Sequence, residues 1–283
     1  MCLRLLGREY DVFVYDVNPQ ALEQFRGTPA RPVSSIAELA RAVDIVILSL
    51  PDSAVVEQVV FGGGGLGEGL SEGKILVDTS SSRPSSTRRI AAYLAEKGIH
   101  MLDAPVSGGA LRAKEGTLTV MVGGEREIFD RCFEVLSSFG EQIFHLGAHG
   151  NGHLAKALNN LLTATTLASA SEAALLGSRA GLDPEKFIEV VNASSGRSNS
   201  TEVKFPRYIL NRAFDDGFGI RLMNKDMKIA LETADEFGFP MLIGFRIGQV
   251  WQTAVDQGFG AESHTAIYAF LEQLAGQSEN TNP

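Results

Sequence analysis

Asp44-Ile45-Val46-Ile47-Leu48, followed beyond Leu50-Pro51 by a helical pattern over 54–61 and then by Lys74-Ile75-Leu76-Val77-Asp78, is the stretch on which the fold turns. Two short apolar runs bounded by acids, with one helix between them, make a strand–helix–strand unit. The rhythm continues in both directions. Upstream, Val12-Phe13-Val14-Tyr15 reads as a buried strand ending at Asp16, with helices near 19–26 and 36–41. Downstream come a helix at 84–97, a strand at 99–102, and strands at 117–122 and 142–144 flanking a helix at 125–136. Strands alternating with helices of this length predict a doubly wound α/β sheet of parallel strands.

After that the strand signals stop. A long, almost wholly apolar helix opens at Gly150-Asn151-Gly152 and runs to about Gly181. Asp183-Pro184 then restarts helix, with the acid at the N-cap and proline in the first turn. Everything later reads as helix joined by short turns, closing at 265–274 ahead of a polar tail, 276–283, expected to be loose. The chain therefore divides into an α/β domain over 1–148 and an all-α domain over 149–283, an architecture expected to hold a ligand-binding cleft.

Composition narrows the function classes. Lys and Arg number 25 against 34 Asp and Glu, a net charge of -9, and no basic run offers a surface for nucleic acid. The two cysteines, Cys2 and Cys132, lack metal-ligand spacing and are too few for a disulfide framework. No apolar run approaches the roughly 20 residues that span a bilayer, and the start lacks a signal-peptide pattern. A soluble cytoplasmic protein is expected.

Gly62-Gly63-Gly64-Gly65-Leu66-Gly67 satisfies the dinucleotide glycine pattern on paper. Its setting is wrong, because it follows a helix and precedes a strand, whereas a phosphate loop follows a strand and opens a helix. We read it as a flexible connection. Asp16, by contrast, ends a strand as a ribose-binding carboxylate does, roughly 20 residues after a glycine turn. Counting back from it runs past Met1. The expectation is that the sequence starts within the first helix, with the first strand and its glycine loop missing through a misplaced start or trimming. Asp16 has a plainer reading as a cap for the turn into Asn18-Pro19.

On the long helix, Lys156 and Asn160 stand one turn apart and Thr163 continues their row, a narrow polar stripe on an oily rod. Burial disfavours a charged ammonium, which is how a lysine is prepared for proton transfer near neutral pH. A lone helical lysine also commonly snorkels to water, and an asparagine there also serves as a packing amide. His149 and His153 have helical spacing, but no carboxylate or third histidine joins them in sequence, so no metal site is expected.

Asp103-Ala104-Pro105-Val106-Ser107-Gly108-Gly109, Gly116-Thr117-Leu118, Gly152 with Lys156 and Asn160, and Lys225-Asp226 together resemble the β-hydroxyacid dehydrogenases, the group of 3-hydroxyisobutyrate dehydrogenase and tartronate semialdehyde reductase. The likeness covers essentially the whole chain. It implies a Rossmann-like sheet lacking its first strand plus an all-α domain for substrate binding and oligomerisation, and an oxidoreductase moving hydride between NAD and a small 3-hydroxy acid. By resemblance Lys156 is the general acid/base, Ser107, Gly108 and Gly109 hold the substrate's acid end, Asn160 orients it and Phe218 walls its pocket. Leu50, Pro51 and Ser80 lie around the cofactor riboses, Lys225 by the nicotinamide, and Asp16 favours NAD over NADP because a carboxylate repels a 2′-phosphate. A homodimer or tetramer is implied. The alternatives are a non-catalytic scaffold crippled by loss of the glycine loop, or a relative of the imine reductases or 6-phosphogluconate dehydrogenase.

Overall fold

The computed structural model describes residues 1–276, which form two compact units divided between Lys156 and Ala157. The tail expected at 276–283 lies, apart from Gly276, outside the described residues. The first unit opens with α1 (Cys2–Leu6), β1 (Phe13–Val14), α2 (Pro19–Leu22), β2 (Arg31–Pro32) and α3 (Ile36–Ala42). It continues through β3 (Ile45–Leu48), α4 (Ser53–Phe61), α5 (Leu66–Gly69), β4 (Ile75–Asp78), α6 (Pro84–Ala95) and β5 (His100–Asp103). Then follow β6 (Val106–Ser107), α7 (Gly109–Glu115), β7 (Leu118–Gly124), α8 (Arg126–Leu136) and β8 (Gly140–His145).

Six strands form one sheet in the order β3-β4-β5-β7-β6, with β8 paired to β7. The strands β3, β4 and β5 are parallel, as their apolar runs predict, and apolar clusters built around Leu76 and Val77 cover opposite faces. The rest departs from the wholly parallel expectation. Strand β7 runs antiparallel to both β5 and β6, while β8 is parallel to β7. The chain leaves β5 through β6 and α7 before entering β7, which pairs antiparallel with both strands.

β1 and β2 form a separate parallel pair. Between β1 and β3 lies a cavity of about 560 Å³ lined by both, including Val12, Phe13, Ile45 and Ile47. In a Rossmann order the first strand occupies this position, and among the described residues none does. The glycine cluster needs correcting. Rather than a flexible connection, its end forms α5, with Gly65, Leu66 and Gly67 buried.

The second unit carries most of α9 (Asn151–Arg179), then α10 (Pro184–Asn192), a π-helix (Ser200–Ile209), α11 (Ile220–Glu236), α12 (Leu242–Asp256) and α13 (Ile267–Leu274). Asp183 caps α10 by accepting from Lys186 N at 2.9 Å, as the Asp-Pro pair predicts. Trp251, fully buried, anchors the core with Phe205, Met227 and Phe270 and donates its indole N–H to the Ala164 carbonyl. No helix among the described residues is long and apolar enough to cross a membrane.

Candidate active site

The carboxyl ends of β3, β4 and β5 are in register, Leu48 beside Asp78 and Asp78 beside Asp103, so the segments that follow leave one edge of the sheet. That edge is where doubly wound sheets hold ligands. Its loops are tied to each other. The Leu50 N–H donates to Ser80 Oγ at 2.9 Å, and Asp78 accepts from Ser80 N at 2.9 Å and from the Ser82 hydroxyl at 3.0 Å.

Asp103 brings the long helix to the same edge. Its carboxylate, 0% exposed, accepts from Gly150 N at 2.8 Å and His153 N at 3.0 Å. A strand-end acid thereby caps a helix 47 residues later, satisfying N–H groups that a helix start leaves without partners. Gly152 permits the approach: a Cβ there would lie 2.3 Å from the Met121 carbonyl oxygen and 2.7 Å from that of Asp103. Lys156, half-buried, stands one turn further along α9. The stripe expectation that it lies on a helix with Asn160 is met by α9 itself.

Ser107 is half-buried on β6 opposite Thr119, and the exposed Gly108 and Gly109 have φ of +132° and +70°. Both occupy backbone conformations that favour glycine. Together they turn the chain from β6 into α7, leaving a hydroxyl beside exposed backbone.

In the second unit Asn160 is buried and donates through Nδ2 to Asp226 Oδ2 at 2.6 Å. A carboxylate only accepts, so the amide orientation is fixed, with Oδ1 turned away from Asp226. Lys225 Nζ lies 3.2 Å from Asp226 Oδ1. Asp226 thus joins two residues that the motifs singled out separately, on α9 and α11.

Phe218 is half-buried, edge-on to His264 with ring centroids 5.6 Å apart. The turn carrying it is clamped by Asp216, whose side chain is 3% exposed and accepts from His264 Nδ1 at 2.9 Å, Ser263 Oγ at 2.8 Å, Phe218 N at 3.2 Å and the Lys204 ammonium. Burial pushes this carboxyl up, but the hydrogen bonds and charges of His264 and Lys204 outweigh it and hold it well below the usual carboxylate range. A depressed carboxyl stabilises the fold fully above its unfolded value, roughly pH 4, and the contribution drains away as pH falls toward the folded value. Acid unfolding of Asp216→Asn is therefore expected to show a flatter dependence below pH 4 than the parent, with lower stability at pH 7. Urea titrations at pH 3 and pH 7 check this, and parallel curves for the two proteins would contradict it.

The comparisons agree on one family. Residues 1–147 match the NAD binding domain of 6-phosphogluconate dehydrogenase, and residues 150–271 match the NAD-binding domain of NADP-dependent 3-hydroxyisobutyrate dehydrogenase. The 2-(hydroxymethyl)glutarate dehydrogenase of Eubacterium barkeri is 37% identical, over 98% of this chain and 92% of its own. Mitochondrial 3-hydroxyisobutyrate dehydrogenase of Bos taurus is 33% identical, over 96% and 83% respectively. The chain belongs to the β-hydroxyacid dehydrogenase family. Among solved structures, Mycobacterium tuberculosis 3-hydroxyisobutyrate dehydrogenase with L-serine superposes with a TM-score of 0.88 at 26% identity, covering 95% of this chain and 93% of that one. This β-hydroxyacid dehydrogenase is a hydroxyacid oxidoreductase that uses a nicotinamide dinucleotide.

The residues that the resemblance assigns to the cofactor riboses lie at the ends of β1, β3 and β4. Asp16 is exposed just beyond β1, with Oδ1 accepting from Asn18 N at 2.8 Å, so the capping reading is realised and its other oxygen lies outside that bond. Leu50, half-buried, and Pro51, exposed, follow β3, and buried Ser80 follows β4. The glycine cluster does not fit a pyrophosphate. Its N–H groups are used internally, Gly62 to Gln58 O, Gly65 to Gly62 O and Gly64 to the Glu68 carboxylate.

The motif reading missed what lies beneath the edge in this dehydrogenase, namely buried Asp78, Thr87 and His153. Asp78 and Asp103 each close an apolar strand, and that signal was present. His153 had been weighed only as a metal ligand. Its ring instead bonds Thr87 and the Ser80 carbonyl, while His149 and His145 bond the carbonyls of Met101 and Gly124.

Proposed function

We propose that the protein oxidises a small 3-hydroxy acid, of the 3-hydroxyisobutyrate type, to its semialdehyde, with Lys156 as general acid/base and NAD preferred over NADP. The observation that carries this reading is the capping of α9 by Asp103, which sets the first turns of the lysine helix at the sheet edge where the cofactor loops converge. When bound, the nicotinamide supplies the hydride acceptor. As the substrate C–H bond breaks, the hydroxyl proton passes to Lys156 Nζ, and in the reverse direction the ammonium returns it to the forming alkoxide. Asn160, its amide nitrogen committed to Asp226, offers Oδ1 to a substrate hydroxyl. Ser107, Gly108 and Gly109 take the carboxylate through the hydroxyl and exposed backbone N–H groups. Phe218 walls the pocket and Lys225 adjoins the nicotinamide. Asp16 hydrogen-bonds the adenosine ribose and repels a 2′-phosphate, supported by its exposed place beyond β1.

We extend the proposal to a cytoplasmic homodimer or tetramer formed by the 149–283 domain, supported by its exposed Leu162, Leu176, Phe239, Leu242 and Ile243. The test is an absorbance assay of the purified protein, its solution mass measured alongside. The panel is 3-hydroxyisobutyrate, 2-(hydroxymethyl)glutarate and glycerate, each with NAD and NADP. Turnover of at least one acid is expected, with kcat/KM higher for NAD by about fivefold or more, the effect of a charge repulsion of ~1 kcal/mol. No turnover of any member would favour the scaffold reading, a reversed cofactor ratio would overturn the role of Asp16, and a monomeric mass would sink the assembly.

A further inference from the structure

His153 is enclosed on every side. Its side chain is 0% exposed, Nδ1 lies 2.7 Å from Thr87 Oγ1, and Nε2 lies 3.1 Å from the Ser80 carbonyl oxygen. A carbonyl only accepts, so Nε2 carries a proton. The Thr87 hydroxyl has two outlets, Nδ1 of a neutral ring or the Arg83 carbonyl 3.1 Å away, so it serves either protonation state of the imidazole. Two fully buried carboxylates flank the ring, Asp78 Oδ2 at 3.7 Å from Nε2 and Asp103 Oδ2 at 3.9 Å from Nδ1. One side chain therefore bridges the segment after β4, the start of α6, the end of β5 and the first turn of α9.

We propose that His153 is a positioning residue for Lys156: the Nε2–H bond to the Ser80 carbonyl fixes how the lysine-bearing turn of α9 sits against the loop after β4. The inference rests on reading Lys156 as the acid/base. Lys156 follows His153 by three positions, so the two share one side of the helix, and a rotation of that turn moves both together. The loop on the other end of the bond is the one whose Ser80 hydroxyl accepts from Leu50 N, so the same contact also reaches the segment after β3. Asp103 holds the helix start from its backbone, which sets its position along the axis. The histidine adds a side-chain contact that sets its rotation. An ordinary core histidine would need only volume and satisfied nitrogens. A positioning histidine needs this particular bond.

The discriminating variants separate the two nitrogens. Glutamine can place an amide N–H near Nε2 and keep the Ser80 contact, asparagine reaches only as far as Nδ1, and leucine fills space without donating. His153→Leu and His153→Asn are expected to lose about 100-fold in kcat, the effect of a roughly 1 Å misplacement. KM for the best acid of the panel should change less than threefold, and the pH profile of kcat/KM should shift. His153→Gln should recover to within about fivefold of the parent. If leucine does not fold, the glutamine–asparagine contrast carries the test. Equal kcat for glutamine and asparagine, or a profile unmoved in the impaired variants, would overturn the proposal. Lys156→Ala run in parallel tells the two failures apart: turnover surviving there sinks the acid/base reading, whereas its loss with unimpaired His153 variants sinks only this one.

Discussion

Lys156→Ala is expected to lower kcat for the best hydroxy acid by about 10²- to 10⁴-fold, the range for removing a positioned acid/base. NAD binding, followed by fluorescence or calorimetry, should be little changed. The size follows from what the amine does: without it the hydroxyl proton must leave to water while hydride departs, and the alkoxide-like charge loses its cation. Lys156→Arg should not rescue, because a guanidinium stays protonated and cannot accept a proton near neutral pH. A small primary amine added to the alanine variant should restore part of the rate, more so at pH values where the free base predominates. Unchanged kcat in Lys156→Ala would remove the acid/base assignment, and full activity in Lys156→Arg would reduce the role to charge.

The helix bearing this lysine was plain in the sequence, because 29 residues with hardly a charge and no proline form one element. The strands β3, β4 and β5 were equally plain. β3 is wholly aliphatic and β4 is aliphatic up to Asp78, the residue pattern of strands buried on both faces, while β5 carries Met101 and Leu102 between His100 and Asp103. What escaped was set by contacts far apart in the chain. Helix α7, Gly109-Ala-Leu-Arg-Ala-Lys-Glu115, has no buried residue and hence no apolar periodicity to see. Helix was expected over 200–209, but not its π form: Pro206 argues against helix locally, and burial of Phe205 and Ile209 against the second core holds it. The direction of β7 shows only in its pairing with β5 and β6, which its own residues do not encode. At the site, the motifs named the candidate residues, yet the partners that hold them, Asp226 for Asn160 and Asp103 for the helix start, are separated from them by 66 and 47 positions. Adjacent charges such as Lys225-Asp226 in a helix usually form a solvated face. Here the acid is buried to 2% exposure while the lysine stays partly in solvent.

Asp103→Ala tests the claim that one buried acid joins the sheet to the helix bearing Lys156. The substitution strips two N–H groups of their acceptor where water does not reach. Each buried donor left without a partner costs about 1–3 kcal/mol, offset in part because a carboxylate no longer has to be desolvated. A net loss of ~2–4 kcal/mol is expected, and at ~2–4 °C per kcal/mol for a chain of this size the melting midpoint should fall by about 5–15 °C. Asp103→Asn separates shape from charge. Its carbonyl oxygen can still accept from Gly150 N or His153 N, but its amide nitrogen cannot, so roughly half the loss should remain. Because the carboxylate is buried, molar salt should barely alter these differences, whereas a surface ion pair would be screened. Activity is the second readout. If Asp103 only stabilised the fold, the surviving folded fraction at 20 °C would turn over like the parent; if it sets the lysine helix at the strand ends, kcat should fall in the alanine variant even where circular dichroism shows it fully folded. A midpoint within about 1 °C of the parent together with parental kcat would mean that the helix finds its place without the acid, and the geometric basis for assigning Lys156 to the sheet edge would be lost.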